Sequence, residues 1–304
     1  MKRCRATLAA LPSLLVDPQA NLRRVAEAVR TAAEEGSRLI LLPELMLTGH
    51  GGHPRMVENA EPVPEGPLAR EVLDLSLRYE ICICVGMAEL RGGVAYNSQI
   101  VMDRGRYLGA QRKIHLSGDE YCYFAPGQEV PIFDIGDVRF GVTVCYDSFF
   151  PELSLLHHVG GAEAVLSAHA ARSGEWPAEP DRAFCTAKIA QRQGEWVRRY
   201  AGRAEEYNCY VLLCNAVGPS TAGLDGVTAN HAGTVMAIDP RGEVMLETDR
   251  TDFSAEIRTL ELDPERLGRS HAPTRNRRLR LFRDLLGAAL RDAAARDAAA
   301  GGTG

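Results

Sequence analysis

The chain has 304 residues, 45% of them apolar and 25% charged, with a formal net charge of −5. That mix excludes a largely disordered chain, and the acidic balance gives a nucleic-acid surface no global support. No run reaches the roughly 18 apolar residues that would span a bilayer, so no membrane partner is expected, and the eight cysteines read as reduced thiols of a cytoplasmic protein rather than as a disulfide scaffold.

Lys2, Arg3 and Arg5 ahead of an apolar run mimic a signal peptide, but Pro12 and Ser13 interrupt the run and no Ala-x-Ala pattern follows. The segment reads as a first strand near 5–11. Asp17-Pro18 then supplies an N-cap with proline in the first helical turn, and Leu22, Val25, Ala26, Val29 and Ala32 recur at helical spacing up to Gly36. Residues 38–42 form a short continuous apolar run, the mark of a buried strand, which Pro43-Glu44 ends. Strand, helix, strand is a βαβ pattern. A helical stripe follows behind Pro67. Strands are expected at 81–88 and 94–102 around Arg91-Gly92-Gly93, at 106–112, and at 130–135 and 138–144 around Gly136-Asp137. A short helix follows Pro151, then a buried strand at 164–167. A long helix over 181–207 has the small residues Ala187, Ala190, Gly194, Val197, Ala201 and Ala204 as its apolar positions, which predicts close helix packing. Strands at 210–214, 233–239, 243–247 and 255–261 and a basic helix over 275–290 complete the order. Helices and strands interleave without a linker, so one layered α/β domain over 1–290 is expected, with an Ala/Gly-rich flexible tail at 291–304.

The chemistry starts from the cysteines. No Cys-x-x-Cys pair occurs, so a structural zinc site lacks its usual spacing. Cys82 and Cys84 share a strand face and read as core. Cys145 is different: it ends the apolar run 138–144 and precedes Tyr146-Asp-Ser-Phe-Phe150 and a helix. A strand-to-helix turn exposes a side chain where backbone N–H groups can face an oxyanion. The alternative is one more buried thiol. A thiol nucleophile needs a base. None of the eight histidines is marked by spacing as the partner. A carboxylate can serve if burial raises its pKa toward neutrality, and Glu44, directly after a buried strand, is the candidate; a lone Glu after Pro can equally be a cap or a loop charge. Lys113 also follows a strand and could hold an oxyanion or be a solvated charge. His50-Gly-Gly-His53 lacks a third ligand at metal spacing, and no metal is expected.

Leu41-Leu-Pro-Glu44, Arg112-Lys-Ile-His-Leu116 and Cys145-Tyr-Asp-Ser-Phe-Phe-Pro-Glu152 stand in the order and spacing of the nitrilase superfamily of carbon–nitrogen hydrolases. Glu120-Tyr-Cys-Tyr-Phe-Ala-Pro-Gly127 and Cys214-Asn-Ala-Val-Gly218 also resemble that family, and the resemblance covers roughly residues 5 to 285. It implies an α-β-β-α sandwich, a homodimer or higher homo-oligomer, no cofactor, and a catalytic triad mapping onto Glu44, Lys113 and Cys145, with Glu120 as a second glutamate in the site or a plain ion pair with Lys113. It further implies a cysteine thioester intermediate, with Lys113 and the Tyr146 backbone N–H holding the oxyanion. Cys145-Tyr146-Asp147 resembles the amidase and carbamoylase branches rather than the Cys-Trp-Glu of true nitrilases. Hydrolysis of a small-molecule amide to a carboxylic acid and ammonia or amine is therefore expected. An N-carbamoyl amine hydrolase or nitrilase, and a non-catalytic binding or scaffold subunit, are the alternatives. The family lines its pocket with residues just after the lysine, the cysteine and the next strand. These correspond to Tyr121, Tyr123, Phe149 and Phe150, and to His169, Arg172 and Trp176. Arg172 could fork onto a substrate carboxylate or simply face water.

Overall fold

The computed structural model describes residues 1–268 except 52, 175, 178 and 221–228. The expected basic helix at 275–290 and the tail at 291–304 lie outside the described residues. The chain opens with β1 (Cys4–Ala10), α1 (Pro18–Glu34) and β2 (Leu39–Leu41), and continues with α2 (Arg55–Glu58), α3 (Pro67–Arg78), β3 (Cys82–Arg91), β4 (Val94–Asp103) and β5 (Arg106–Arg112). Then come β6 (Phe133–Asp134), β7 (Arg139–Val144), α4 (Pro151–Val159), β8 (Ala164–His169), α5 (Arg182–Tyr207), β9 (Tyr210–Pro219), β10 (Asn230–Ile238), β11 (Val244–Glu247) and β12 (Glu256–Leu262).

These strands form two six-stranded sheets, β12-β1-β2-β3-β4-β5 and β11-β10-β9-β8-β7-β6. Each has a parallel centre, β1-β2-β3 in one and β7-β8-β9 in the other. The period of two along each strand decides which residues face which layer. Leu8, Leu39, Leu41, Cys84 and Val101 of the first sheet meet Phe140, Val142, Val144, Leu212 and Cys214 of the second in one core. Ile40, Ile83 and Ile100 face the other way, onto Val25 and Val29 of α1 and Val72 of α3. The outer face of the second sheet packs Val211, Leu213 and Met236 against α5. The result is the expected α-β-β-α sandwich.

Capping follows local chemistry. Asp17 accepts from the Ala20 N–H at 2.8 Å at the start of α1, and Asp181 accepts from the Phe184 N–H at 2.7 Å at the start of α5. Two differences from the sequence reading have plain causes. The strand expected at 130–135 pairs only at Phe133 and Asp134, because Pro131 has no N–H to give a ladder. On α5 the small-residue stripe meets the core only at Ala204 and, partly buried, at Val197. The buried face is Cys185, Ile189, Trp196, Tyr200, Ala204 and Tyr207, since the two large aromatics offer far more apolar area per side chain. The Tyr200 hydroxyl also finds the Ser167 hydroxyl at 2.6 Å, which satisfies its one polar atom.

Candidate active site

Three loops leave the strand ends toward one cavity of about 590 Å³. The first follows β2 through Pro43 to Glu44. Here β3 must run against the turn: a Cβ at Gly86 would lie 2.2 Å from the Leu45 nitrogen and 2.5 Å from the Pro43 carbonyl oxygen. Only a glycine fits there, and its N–H donates to that Pro43 oxygen at 3.1 Å. Leu45, just after Glu44, sits at φ +48°. Such a φ costs a non-glycine residue energy and persists only where surrounding packing enforces it.

Glu44 is completely buried and every oxygen is used. Its Oε1 accepts from Lys113 Nζ at 2.7 Å and from Asn97 Nδ2 at 2.8 Å, and its Oε2 accepts from the Ala170 N–H at 2.8 Å. Lys113, the first residue after β5, is likewise buried. Its ammonium also donates to both Glu120 oxygens, at 2.9 and 2.7 Å. Glu120 lies in a 3₁₀ turn over Gly118–Cys122, and its Oε2 accepts from the Ser117 N–H and hydroxyl at 2.8 and 2.7 Å. Asn97 of β4 ties the two carboxylates together, donating to Glu120 Oε1 at 3.0 Å as well.

Cys145 follows β7 at φ +48° and opens a second 3₁₀ turn, Cys145–Phe149. The N–H groups that begin such a turn lack a preceding turn to donate to, which leaves the Tyr146 N–H available beside the sulfur. Asp147 fastens this turn to the Lys113 loop. Its Oδ1 accepts from the His115 N–H at 2.8 Å and contacts His115 Nδ1 at 2.9 Å, while its Oδ2 accepts from the Val144 N–H at 3.3 Å. His115 in turn stacks on Phe150 with ring centroids 3.5 Å apart.

The electrostatics differ from the simple expectation for Glu44. Burial alone would push its carboxyl up, but the Lys113 charge, then His50, and the hydrogen bonds from Lys113 and Asn97 outweigh it and hold the group well below the usual carboxylate range. Glu44 therefore rests ionised. The Cys145 thiol is pushed up, first by burial and then by the Glu44 charge, with Lys113 pulling the other way; it rests neutral. Lys113 stays protonated because the Glu44 and Glu120 carboxylates together overcome the burial that opposes its charge. His50, Glu44 and Glu120 converge closely enough to hold a metal ion, but the Lys113 ammonium already occupies the position between the two carboxylates.

The cavity collects Lys113, Glu120 and Cys145 with Tyr146, Phe149, His169 and Arg172 on its walls. His169 is neutral, lowered to about 3 by burial, with Nε2 at 2.8 Å from the Ser167 hydroxyl. Tyr121 is not among the wall residues: the 3₁₀ turn that points Glu120 inward leaves its neighbour 66% exposed. Phe150 is taken up by His115, and Trp176 stacks on Phe253 at 3.9 Å. Sequence reading missed Asn97, His50 as a wall residue, and Arg192, Glu195 and Arg199 of α5. The signal for Asn97 was the polar run Asn97-Ser-Gln99 inside a strand otherwise read as core.

A partly buried thiol, an ionised carboxylate beside it and an ammonium at the same cavity floor are the parts of thiol-based acyl chemistry. The chain belongs to the carbon-nitrogen hydrolase family, whose model matches residues 5–272. It is 30% identical over 251 residues to an (R)-stereoselective amidase from Pseudomonas sp., covering 83% of this chain and 82% of that protein. It is 34% identical over 154 residues to a nitrilase from Pyrococcus abyssi, of whose length the match spans 59%. The fold resembles an amidase from Nesterenkonia sp. AN1 solved with butyramide, at TM-score 0.73 and 21% identity, covering 92% of this chain and 96% of that one. Among the described residues no helix is long and apolar enough to cross a membrane, and all eight cysteines are free.

Proposed function

We propose that the chain hydrolyses the C–N bond of a small-molecule amide through a thioester on Cys145. The observation that carries this is the hydrogen-bonded, buried Glu44–Lys113–Glu120 cluster, of which Lys113 and Glu120 line the cavity that Cys145 enters. The resting charges dictate the order of events. A neutral thiol and an ionised Glu44 mean that no thiolate waits for substrate. Glu44 takes the thiol proton as sulfur attacks the amide carbon, so charge moves onto the carbonyl oxygen in one step. Lys113 and the Tyr146 N–H receive that charge. All three Lys113 protons are engaged by carboxylates, so its two bonds to Glu120 must merge onto one oxygen to free a proton for the oxyanion. Glu44 then delivers its proton to the leaving nitrogen, the C–N bond breaks, and ammonia or an amine departs. Water, deprotonated by Glu44, attacks the thioester; the acid leaves and the proton returns to sulfur.

Roughly 10²–10³ in rate is at stake at each oxyanion donor. The test is an ammonia-release screen over aliphatic, aryl and ω-amides, N-carbamoyl amines and nitriles, with Cys145→Ala as the control. Amide turnover that disappears in Cys145→Ala, with an acyl adduct on Cys145 in the mass spectrum of quenched wild type, is the expected result. Retained turnover in Cys145→Ala overturns the mechanism. Assembly into a homodimer or higher homo-oligomer is proposed with it, and light scattering of the purified chain decides that separately.

A further inference from the structure

The cavity wall carries three guanidinium groups, from Arg172, Arg192 and Arg199. Two have carboxylate neighbours. Arg192 binds Glu195 at 2.6 Å and Arg172 lies 3.6 Å from Asp119. Arg199 has no carboxylate within ion-pair distance among the described residues. It donates to the Ser148 hydroxyl at 2.9 Å, and its guanidinium carbon lies 3.7 Å above the Phe149 ring. Both partners are neutral. Glu195 is close enough to be felt but is committed to Arg192. Arg199 is half-buried, and burial lowers its pKa without an ion pair to restore it. A partly dehydrated cation without a counter-charge is an unfavourable arrangement unless an anion arrives. An arginine fork fits a carboxylate in two parallel hydrogen bonds, and the Phe149 face fixes its plane.

We infer that Arg199 anchors a carboxylate on the acyl part of the substrate, so that the preferred amides are monoamides of short dicarboxylic acids. This rests on the amide-hydrolase reading above. A cavity of about 590 Å³ takes such a chain with its amide end at Cys145 and its anionic end at α5. A structural role is the competing explanation: Arg203 also donates to the Ser148 carbonyl oxygen at 2.7 Å, so both arginines tie the turn after Cys145 to α5. A loosened turn would slow every amide alike, whereas a lost anchor penalises only the charged one.

Succinamate and butyramide share a four-carbon chain and differ at the far end, so they separate the two. Wild type should prefer succinamate in kcat/KM. Arg199→Met should lose about thirty-fold more on succinamate than on butyramide, as expected for a charged hydrogen-bonded contact, mainly through KM; Arg199→Lys should recover part of it. Equal losses on the two amides, or no preference in wild type, overturn the inference. Calorimetry on Cys145→Ala decides the matter without turnover. Succinamate should bind more tightly than butyramide, and Arg199→Met in that background should remove the difference. If wild type hydrolyses neither amide but this binding pattern holds, the hydrolase reading fails and the anchor stands. If neither amide binds, or both bind equally, the anchor is wrong.

Discussion

Glu44→Gln separates two properties that usually travel together, the reactivity of a thiol and the turnover it supports. The substitution keeps shape and removes one negative charge. In wild type Oε1 accepts from Lys113 and Asn97 and Oε2 accepts from Ala170. A glutamine offers one oxygen and one NH₂ group, so either the Ala170 N–H or the Lys113–Asn97 pair faces a second donor. One buried donor group left unsatisfied costs about 1–3 kcal/mol, which urea denaturation should detect. Loss of the proton acceptor should lower kcat about 10²–10⁴-fold. The Glu44 charge also holds the thiol pKa up, so in the variant that pKa falls. The pH profile of iodoacetamide alkylation at Cys145 should therefore shift to lower pH while hydrolysis collapses. The measurement is alkylation rate against pH by peptide mass spectrometry, beside kcat. If alkylation shifts to higher pH, or if kcat is unchanged, the charge assignment of the resting site is wrong.

Asp147→Asn should act at a distance from the sulfur: with the His115 and Val144 N–H groups both aimed at its oxygens, an amide NH₂ opposes one of them, and a loss of about 1–3 kcal/mol with a reduced kcat is expected in chemical denaturation and steady-state assays; wild-type values for both would dismiss the fastening role. Gly86→Ala should destabilise the fold and depress activity, because its methyl would meet the Leu45 nitrogen at 2.2 Å, whereas Gly202→Ala, with nothing within 4 Å on the solvent side of α5, should gain about 0.5–1 kcal/mol. The two variants exchanging signs would refute the close-approach argument. Acid should unfold the protein through its buried histidines. His157 is lowered to about 4, and His169 and His231 to about 3, each by burial first. Their stabilising contribution is complete above the unfolded value of about 6.5 and is lost as pH falls toward the folded values. With three extra protons on the unfolded chain the slope approaches ~4 kcal/mol per pH unit. Glu44, held low, adds to the same limb below about pH 4.3. A urea midpoint that stays flat from pH 6.5 to 4.5 would contradict the burial of these rings.

The layered fold was readable because its rules are local. Period-two and period-3.6 patterns, Asp17-Pro18, and the glycine turns mark elements without reference to the rest of the chain. Pro43 and the strand ahead of it mark Glu44 as a strand-end residue, and the motif order joins Glu44, Lys113 and Cys145 into one group. What was not readable depends on rotation and on partners. The α5 helix has two plausible faces. Counting small residues selects one, and burying Trp196 and Tyr200 selects the other, the two sharing Ala204. Once that rotation is set, Arg192, Glu195 and Arg199 turn toward the cavity, yet in sequence they look like any solvated helix surface. Tyr121 was misplaced because the alternation of a loop is undefined until the 3₁₀ turn around Glu120 is known. The ionised state of Glu44 could not be read at all, since it arises from donors on β4, after β5 and after β8, whose convergence exists only in three dimensions.

The buried hydrogen-bonded cluster and the thiol straddle the seam of the sandwich: Glu44, Asn97 and Lys113 hang from one sheet, and Cys145 and the Ala170 amide from the other. Neither leaf holds the proposed catalytic set on its own. Recovery of turnover during refolding therefore clocks the moment the two leaves close, independently of when their individual strands have zipped. Any agent that wedges the leaves apart silences the chemistry before it melts either one.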